Sequence, residues 1–247
     1  MNRLALAAIL SLALVHFARA QLSDDPSILE PGRTQIEIDF IHTHDRDAGV
    51  RTRAFNVAPV LITHGLNTRT DIGLGFGGYS HTSASRNWGD LTLRAKYSLW
   101  GHHNSEPSPG NTAFALLPYV TIPLKSGDGS ELLLGGLILP LSITLPSDWS
   151  LIIMTEFDVV ADATDRHRKA QWIESLVLAR TFSEAISAYI EFYSVLPFER
   201  GTDWQAQANF GFSYAFSPDF QMDAGCNFGL NRAAPDVQPF IGLTLRY

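Results

Sequence analysis

The strongest constraint on the fold is a period-2 alternation of apolar and polar residues, which recurs along the chain in segments of about ten residues. It is clearest in residues 203–214 and returns in residues 90–99 and 237–247. In the first of these segments the apolar residues are Trp204, Ala206, Ala208, Phe210, Phe212 and Tyr214, alternating with Asp203, Gln205, Gln207, Asn209, Gly211 and Ser213. Successive side chains of a β-strand point to opposite faces of the sheet, so each segment predicts a strand with one apolar and one polar face.

Reading every such run predicts twelve strands, an even number. Their bounds are 33–44, 50–64, 69–80, 88–100, 111–124, 131–145, 149–161, 168–180, 185–196, 202–215, 219–229 and 237–247. Short connections alternate with longer, polar ones such as 44–49, as in outer-membrane barrels with short periplasmic turns and long external loops. The connection at 101–110 is an exception, because it is long on the short-turn side. The predicted fold class is all-β, a closed antiparallel transmembrane β-barrel of twelve strands.

Aromatic residues support a membrane location for this barrel. Trp204 and Tyr214 share a face ten residues apart, which is roughly 23 Å along the membrane normal for a strand tilted by about 45°. That spacing matches an apolar band between two aromatic girdles. Trp88 and Trp100 have the opposite parity, so we expect them to lie beyond the paired strands or to face inward. A soluble β-sandwich or lipocalin-like barrel would also alternate, but it needs no aromatic residues at both ends of its apolar face.

The first twenty residues have the pattern of a secretory signal peptide. Arg3 precedes an apolar run from Leu4 to Val15, and Ala18-Arg19-Ala20 supplies the small-x-small cleavage signal. The run is too short to span a bilayer as a helix, which needs about 20 residues. We therefore expect a signal peptide at 1–20, a periplasmic N-terminal segment and candidate plug at 21–32, and a barrel at 33–247. The expected location is the outer membrane of a Gram-negative bacterium.

Composition excludes several classes of function. The formal net charge of −7 has the wrong sign for a sequence-independent nucleic-acid binder, and the single cysteine, Cys226, rules out a disulfide scaffold. His42, His44, Asp45 and Asp47 cluster in the sequence, but the polarity of a loop explains them as well as a metal would. The Gly-x-Ser-x-Gly motif of hydrolases does not occur. We expect no enzyme activity, no cofactor and no metal, and as partners outer-membrane lipid, the barrel assembly machinery and small-molecule solutes.

Polar residues on the wet faces of the strands are candidates for the lining of the lumen and the solute path. They are Asp90, Arg94, Lys96, Glu156, Asp158, Glu191, Gln205, Gln207, Asn209, Asp223 and Asn227. Twelve strands permit a narrow, lined passage between the filled interior of eight strands and the aqueous pore of sixteen. Glu156 and Asp158 share a face, so their repulsion favours a nearby cation, for which Arg94 or Lys96 is available. An internal salt-bridge network that only fills the barrel is the alternative interpretation.

Three further positions carry expectations. Residues 132–145 are apolar on both faces, so some of these side chains must point inward, to guide apolar solutes or to pack a plug. Glu174 shares the parity of Trp172, Leu176 and Leu178, which would place a carboxylate toward lipid. Tyr247 ends an outward-facing apolar series and is the candidate assembly signal.

Several local patterns carry a family resemblance over residues 50–247. They are Trp88-Gly89-Asp90-Leu91 followed by Arg94-Ala95-Lys96-Tyr97, then Pro118 with Pro123, then Asp223-Ala224-Gly225, Gly229-Leu230-Asn231 and Pro235-Asp236. In their order and spacing they resemble the meta-pathway of phenol degradation family of outer-membrane, transporter-like proteins. Leu124-Lys125-Ser126-Gly127 departs from the pattern, where a Thr-Gly turn is expected. The resemblance implies an outer-membrane channel for passive uptake of small aromatic or hydrophobic compounds. The alternative is a structural or adhesive barrel with a plugged lumen.

Overall fold

The structure is a computed structural model that describes residues 22–47, 50–82, 86–101, 108–124, 133–161, 168–199 and 201–247. It contains fourteen β-segments. They are β1 (Thr34–Asp47), β2 (Val50–Asn67), β3 (Thr70–Phe76), β4 (Tyr79–Thr82), β5 (Arg86–Trp88), β6 (Leu91–Trp100), β7 (Thr112–Ile122), β8 (Leu134–Thr144), β9 (Trp149–Ala161), β10 (Arg168–Thr181), β11 (Ile186–Pro197), β12 (Gln205–Ser217), β13 (Phe220–Gly229) and β14 (Val237–Arg246). The predicted signal peptide lies outside the described residues.

The segments form one closed antiparallel barrel of twelve strands, which confirms the predicted fold class. β3 and β4 pair with the same strand, β2, and together make one barrel strand interrupted at Gly77-Gly78. β5 and β6 make the next one, interrupted at Gly89-Asp90. Closure comes from β1, which pairs with β14 on one side and with β2 on the other. No sheet edge is left open, as a spanning sheet requires in lipid.

Both ends of the barrel wall lie at the rim that carries the short turns. The backbone groups of Thr34 and Tyr247 exchange hydrogen bonds of 3.0 and 2.9 Å, where the first and last strands meet. The connection at 101–110 reaches the same rim, because Gly110 N–H donates to the carbonyl oxygen of Thr144 at 2.8 Å, just before the turn at 146–148. It is therefore a long connection on the short-turn side, as its position in the sequence predicts.

The opposite rim differs from the sequence prediction at its first connection. Residues 44–47 were expected in a loop, but β1 continues to Asp47 and β2 begins at Val50. The two strands stay paired along this extension, with His44 opposite Arg53. A paired ladder satisfies the backbone groups of this polar segment, which explains why it forms strand in spite of its loop-like composition.

Local irregularities change the orientation of two tryptophans. A bulge between Ser98 and Trp100 shifts the register by one residue, so Trp100 packs on outward-facing Phe114 with ring centroids 4.9 Å apart. The interruption at Gly89-Asp90 has the same effect on Trp88, which is 62% exposed and lies 5.1 Å from the ring of Tyr79. The expectation that both lie beyond the strands or face inward is therefore wrong. A bulge re-aims a side chain in a way that strict alternation does not anticipate.

Across the parts of the chain that the structure describes, no helix is both long enough and apolar enough to cross a membrane.

Candidate functional site

The inward face of the barrel carries most of the polar residues that alternation assigns to it. Lys96, Glu156, Asp158, Glu191, Gln207, Asn209 and Asn227 are all buried, and Arg94, Gln205 and Asp223 are half-buried on the same face of their strands. Asp90 differs, because it lies in the interruption before β6, where its carboxylate accepts a 3.1 Å hydrogen bond from the backbone N–H of Leu124. Asp90 thus ties two neighbouring barrel strands together at the rim.

Glu156 and Asp158 form a carboxylate pair whose hydrogen-bond donors were not predicted. The hydroxyl of Tyr119 lies 3.0 Å from Glu156 Oε1 and 2.5 Å from Asp158 Oδ1. Gln171 Nε2 donates to Asp158 Oδ2 at 3.1 Å. Tyr119 and Gln171 lie on other strands, and their proximity follows from register, which alternation alone does not provide. The pair therefore has neutral hydrogen-bond donors, which the sequence did not indicate.

Arg94, which the sequence offered as a cation for this pair, forms an ion pair with Asp24 in the N-terminal segment. Arg94 Nη1 lies 3.3 Å from Asp24 Oδ1, and the two side chains are 10% and 9% exposed. Gly73 makes room for Arg94, because a Cβ at that position would lie 2.7 Å from Arg94 Cγ. The Nζ of Lys96 donates to the carbonyl oxygen of Ser27 at 3.1 Å. Both basic side chains thus hold the segment that precedes β1.

Residues 22–33 are termed here the N-terminal segment, and residues 22–29 of it make contacts inside the barrel. Ile28 is 1% exposed, and the backbone N–H of Leu29 donates to Asp71 Oδ2 at 3.4 Å. The segment leaves the lumen at the rim with the short turns, where the N–H of Gly32 donates to the carbonyl oxygen of Gly65 at 2.8 Å. A Cβ on Gly65 would lie 2.3 Å from the carbonyl oxygen of Glu30, so this crossing requires glycine.

The deepest described part of the segment reaches Glu191. The hydroxyl of Ser23 hydrogen-bonds the carboxylate of Glu191 and lies 2.5 Å from the Oγ of Ser175. The backbone N–H of Leu22 lies 3.4 Å from Glu191 Oε2, and Asn209 Nδ2 donates to the same oxygen at 2.8 Å. Glu191 is only 4% exposed, and burying a carboxylate is costly unless it accepts hydrogen bonds. These neutral donors supply such bonds.

Apolar side chains also face the lumen, and Leu22 packs against them. The cluster spans five consecutive strands and consists of Leu117, Ile138, Met154, Ile173 and Tyr193. Among the described residues of the two-sided apolar stretch 132–145, Ile138 is the one in this cluster; Leu137 faces outward and is 37% exposed. The lumen therefore has an apolar wall with carboxyl groups in it: Glu156 pairs with Ile138 and Ile173 on the neighbouring strands, and Glu191 lies on the same strand as Tyr193. Sequence reasoning missed four of these five residues, because it selected lumen residues by polarity.

Three amide oxygens of the lumen have no hydrogen-bond partner among the described residues. They belong to Gln207, Asn209 and Asn227, each less than 9% exposed. Asn209 and Asn227 face each other across β12 and β13. Buried amide oxygens normally have a partner, so this wall offers acceptors to water or to a solute.

The histidines near the first connection do not form a metal centre in the described part of the chain. There, no group of three or more His, Cys, Asp and Glu side chains is close enough to hold a metal ion. The rings of His42 and His44 are tilted by 49° with centroids 4.1 Å apart, and His42 meets Phe55 edge-on. The side chain of Asp47 lies outside the described residues, and so do His102 and His103, which belong to the connection at 101–110 and have the same two interpretations from the sequence.

The lipid-facing surface contains Glu174, as its parity indicated. Glu174 is half-buried between Trp172 and Leu176, and its carboxylate hydrogen-bonds the hydroxyl of Thr155. Trp172 Nε1 donates to that same hydroxyl oxygen at 2.8 Å. Tyr247 is 69% exposed at the end of the outward series of β14. The hydrogen bond with Thr155, and the contact of Thr155 with Trp172, lower the free-energy cost of placing the Glu174 carboxylate near lipid.

The closed barrel, its aromatic outer surface and its polar interior define an outer-membrane β-barrel. The family model described as "Putative MetA-pathway of phenol degradation" matches residues 17–247. The chain belongs to this family, which confirms the resemblance seen in the sequence.

Solved structures support the fold. An outer membrane channel from Pseudomonas putida F1 is similar with a TM-score of 0.66 at 14% identity, covering 91% of this chain and 99% of that one. The NanC porin gives a TM-score of 0.59 at 9% identity, with coverages of 86% and 98%. The translocator domain of the autotransporter NalP from Neisseria meningitidis gives 0.52 at 13% identity, with coverages of 89% and 90%. No curated protein sequence matches the chain.

Proposed function

We propose that the protein is an outer-membrane channel for passive uptake of small aromatic or otherwise hydrophobic compounds. The family description associates it with phenol degradation, and a structural neighbour is described as an outer membrane channel. The observation that carries the proposal is the apolar wall of the lumen. These five apolar side chains give the lumen a surface on which an apolar solute can pack, which a lining of polar groups alone would not provide.

The polar lumen residues would set the selectivity of this path as fixed charges. Glu156, Asp158 and Glu191 are buried carboxyl groups beside this apolar wall. Anionic solutes would therefore be disfavoured relative to neutral ones of the same size. No catalytic role is proposed for these carboxylates.

The N-terminal segment would act as a plug within the channel. Its contacts with Lys96, Asp71, Arg94 and Glu191 reach from one rim to the middle of the barrel wall. The contacts that hold the segment in the lumen are hydrogen bonds, the Arg94–Asp24 ion pair and the packing of Leu22, so the segment can leave without unfolding the barrel, because none of these contacts belongs to the strand ladders.

The test is a redox-controlled lock of the plug. Ser23→Cys and Ser175→Cys, combined with Cys226→Ala, should form a disulfide because the two hydroxyl oxygens are 2.5 Å apart. Proteoliposomes with the oxidised protein should swell slowly in small apolar solutes, and the same vesicles should swell faster after reduction. The Cys226→Ala protein without the new cysteines is the control, and its swelling should not respond to reductant.

A structural barrel with a permanently plugged lumen is the second candidate, and the position of the N-terminal segment favours it. The same experiment separates the two candidates. If neither reduction of the lock nor deletion of residues 22–29 admits any tested solute or ion into folded barrels, the channel proposal fails and the structural role stands.

A further inference from the structure

The first two described residues present an apolar group and a hydroxyl to two different parts of the lumen wall. Leu22 packs on the cluster that includes Met154, Ile173 and Tyr193. The hydroxyl of the adjacent Ser23 is bound to the Glu191 carboxylate. An apolar group and a hydroxyl donor a few ångströms apart are also the two recognition features of a small hydroxylated aromatic molecule.

We infer that Leu22 and Ser23 occupy a solute site as an internal ligand, and that this site takes an uncharged hydroxylated aromatic compound. The inference rests on the proposed channel function. The ring would replace Leu22 against the apolar cluster, and the hydroxyl would replace that of Ser23 as a donor to Glu191. A hydrogen bond to a buried carboxylate is stronger than one between neutral groups, so Glu191 distinguishes a phenol from the corresponding hydrocarbon.

The charges around the site exclude the anionic alternatives. Glu156 pairs with Ile138 and Ile173 of the apolar cluster, and Asp158 and Glu191 are buried on the strands that carry Met154 and Tyr193. Arg94, the nearby guanidinium, is already paired with Asp24. A benzoate or a phenolate would place a further negative charge next to these buried carboxyl groups, which is unfavourable. The site therefore selects the neutral form of a weakly acidic aromatic compound.

Because Ser23 occupies the site, binding of a solute should weaken the hold of the barrel on the N-terminal segment. The Ser23 hydroxyl and the solute hydroxyl compete for the same carboxylate, so binding the solute releases the deepest contact of the N-terminal segment. Asp24, the next residue, keeps its ion pair with Arg94 and its backbone contact with Met154 Sδ at 3.3 Å. Solute binding and departure of the segment are thus coupled at a single side chain.

The experiment is equilibrium dialysis of radiolabelled phenol against proteoliposomes, with protein-free liposomes subtracted. Toluene serves as the probe without a donor, and benzoate as the anionic probe. A variant lacking residues 22–29 should bind phenol more tightly than the full chain, because its site has no internal competitor. In this variant Glu191→Gln should weaken phenol binding about fivefold and leave toluene binding unchanged. Glu174→Gln, the same substitution on the outer surface of a neighbouring strand, should change neither.

Folding of each variant is checked by the heat-dependent mobility of the barrel, and Ser23→Ala in the full chain provides a milder version of the deletion. It too should increase the affinity for phenol, because the carboxylate loses its competing donor. Equal affinity for phenol and toluene, or a phenol preference that survives Glu191→Gln, would overturn the inference. Because dialysis measures binding and not passage, a barrel that binds phenol but admits no solute would refute the channel function alone.

Discussion

The ion pair between Arg94 and Asp24 should keep the N-terminal segment in the lumen, and breaking it should open the barrel to ions. The two atoms are 3.3 Å apart, which corresponds to a Coulomb attraction of about 5 kcal/mol at an effective dielectric constant of about 20. Desolvation of two side chains that are 10% and 9% exposed offsets most of this attraction. A net coupling of about 1–3 kcal/mol remains, equivalent to about 5- to 150-fold in the equilibrium between inserted and released segment.

Two substitutions test this coupling with opposite side effects. Arg94→Gln makes the lumen more negative, and Asp24→Asn makes it more positive, but each removes the ion pair. Both should therefore increase the open probability of single channels in planar bilayers, while the reversal potential in a salt gradient shifts toward cations for Arg94→Gln and toward anions for Asp24→Asn. The double variant should open no more often than the stronger of the two single variants.

The control is Arg180→Gln, since Arg180 lies on the outer surface near the rings of Trp149 and Phe182, 5.3 and 5.2 Å from their centroids. Repeating the recordings at two salt concentrations separates the pair from general screening, because a buried pair is screened less than exposed charges. Effects of the two single substitutions that simply add in the double variant would refute the coupling. So would open probabilities that follow the sign of the lumen charge instead of the presence of the pair.

Three further predictions concern the barrel itself. Deleting Tyr247 should lower the yield of heat-modifiable barrel in the outer membrane. Its backbone joins the first and last strands, and its side chain ends the outward-facing series that the assembly machinery would bind. An unchanged yield would argue against an assembly role. Glu174→Leu should raise the free energy of unfolding by about 1 kcal/mol, measured by urea unfolding of the barrel in lipid vesicles. The substitution removes a lipid-facing carboxylate and loses only its hydrogen bond with Thr155. Gly65→Val should displace the N-terminal segment and raise ion conductance, because a Cβ there would lie 2.3 Å from the carbonyl oxygen of Glu30; an unchanged conductance would refute this.

Alternation predicted the architecture well because a transmembrane barrel repeats one physical rule along every strand. Each residue either faces lipid or faces the lumen, so parity alone placed Glu156, Asp158, Glu191 and Asn209 inside and Phe210 and Phe212 outside. Parity failed where the ladder is irregular. Trp100 follows a bulge, and nothing in the local composition marks the position of that bulge.

Which side chains meet across the lumen could not be read from the sequence. Tyr119 and Asp158 are far apart in the chain, and their contact depends on the register of β7, β8 and β9. The N-terminal segment was harder still, because residues 22–33 have no periodicity and their position depends on side chains from β6, β9, β10 and β11. Arg94 and Lys96 were recognised as the available cations, but the carboxylate and carbonyl partners that they hold lie in a segment without a regular pattern.

If Leu22 and Ser23 act as a tethered internal ligand, the concentration of solute needed to displace them should depend on the length of the tether. About ten residues connect Ser23 to the first strand, and once the contacts of Asp24, Ser27 and Leu29 are released, a flexible linker of this size gives an effective concentration in the millimolar range. A solute that binds at Glu191 must compete with that concentration in proportion to the affinity of Leu22 and Ser23 for the site. Inserting about ten Gly and Ser residues after Pro31, which is exposed, would double the tether and lower the effective concentration roughly threefold. The phenol concentration at half-maximal binding should fall by up to the same factor, while the variant lacking residues 22–29 should show no effect of such an insertion. A midpoint that is independent of tether length would mean that Leu22 and Ser23 do not compete with the solute for this site.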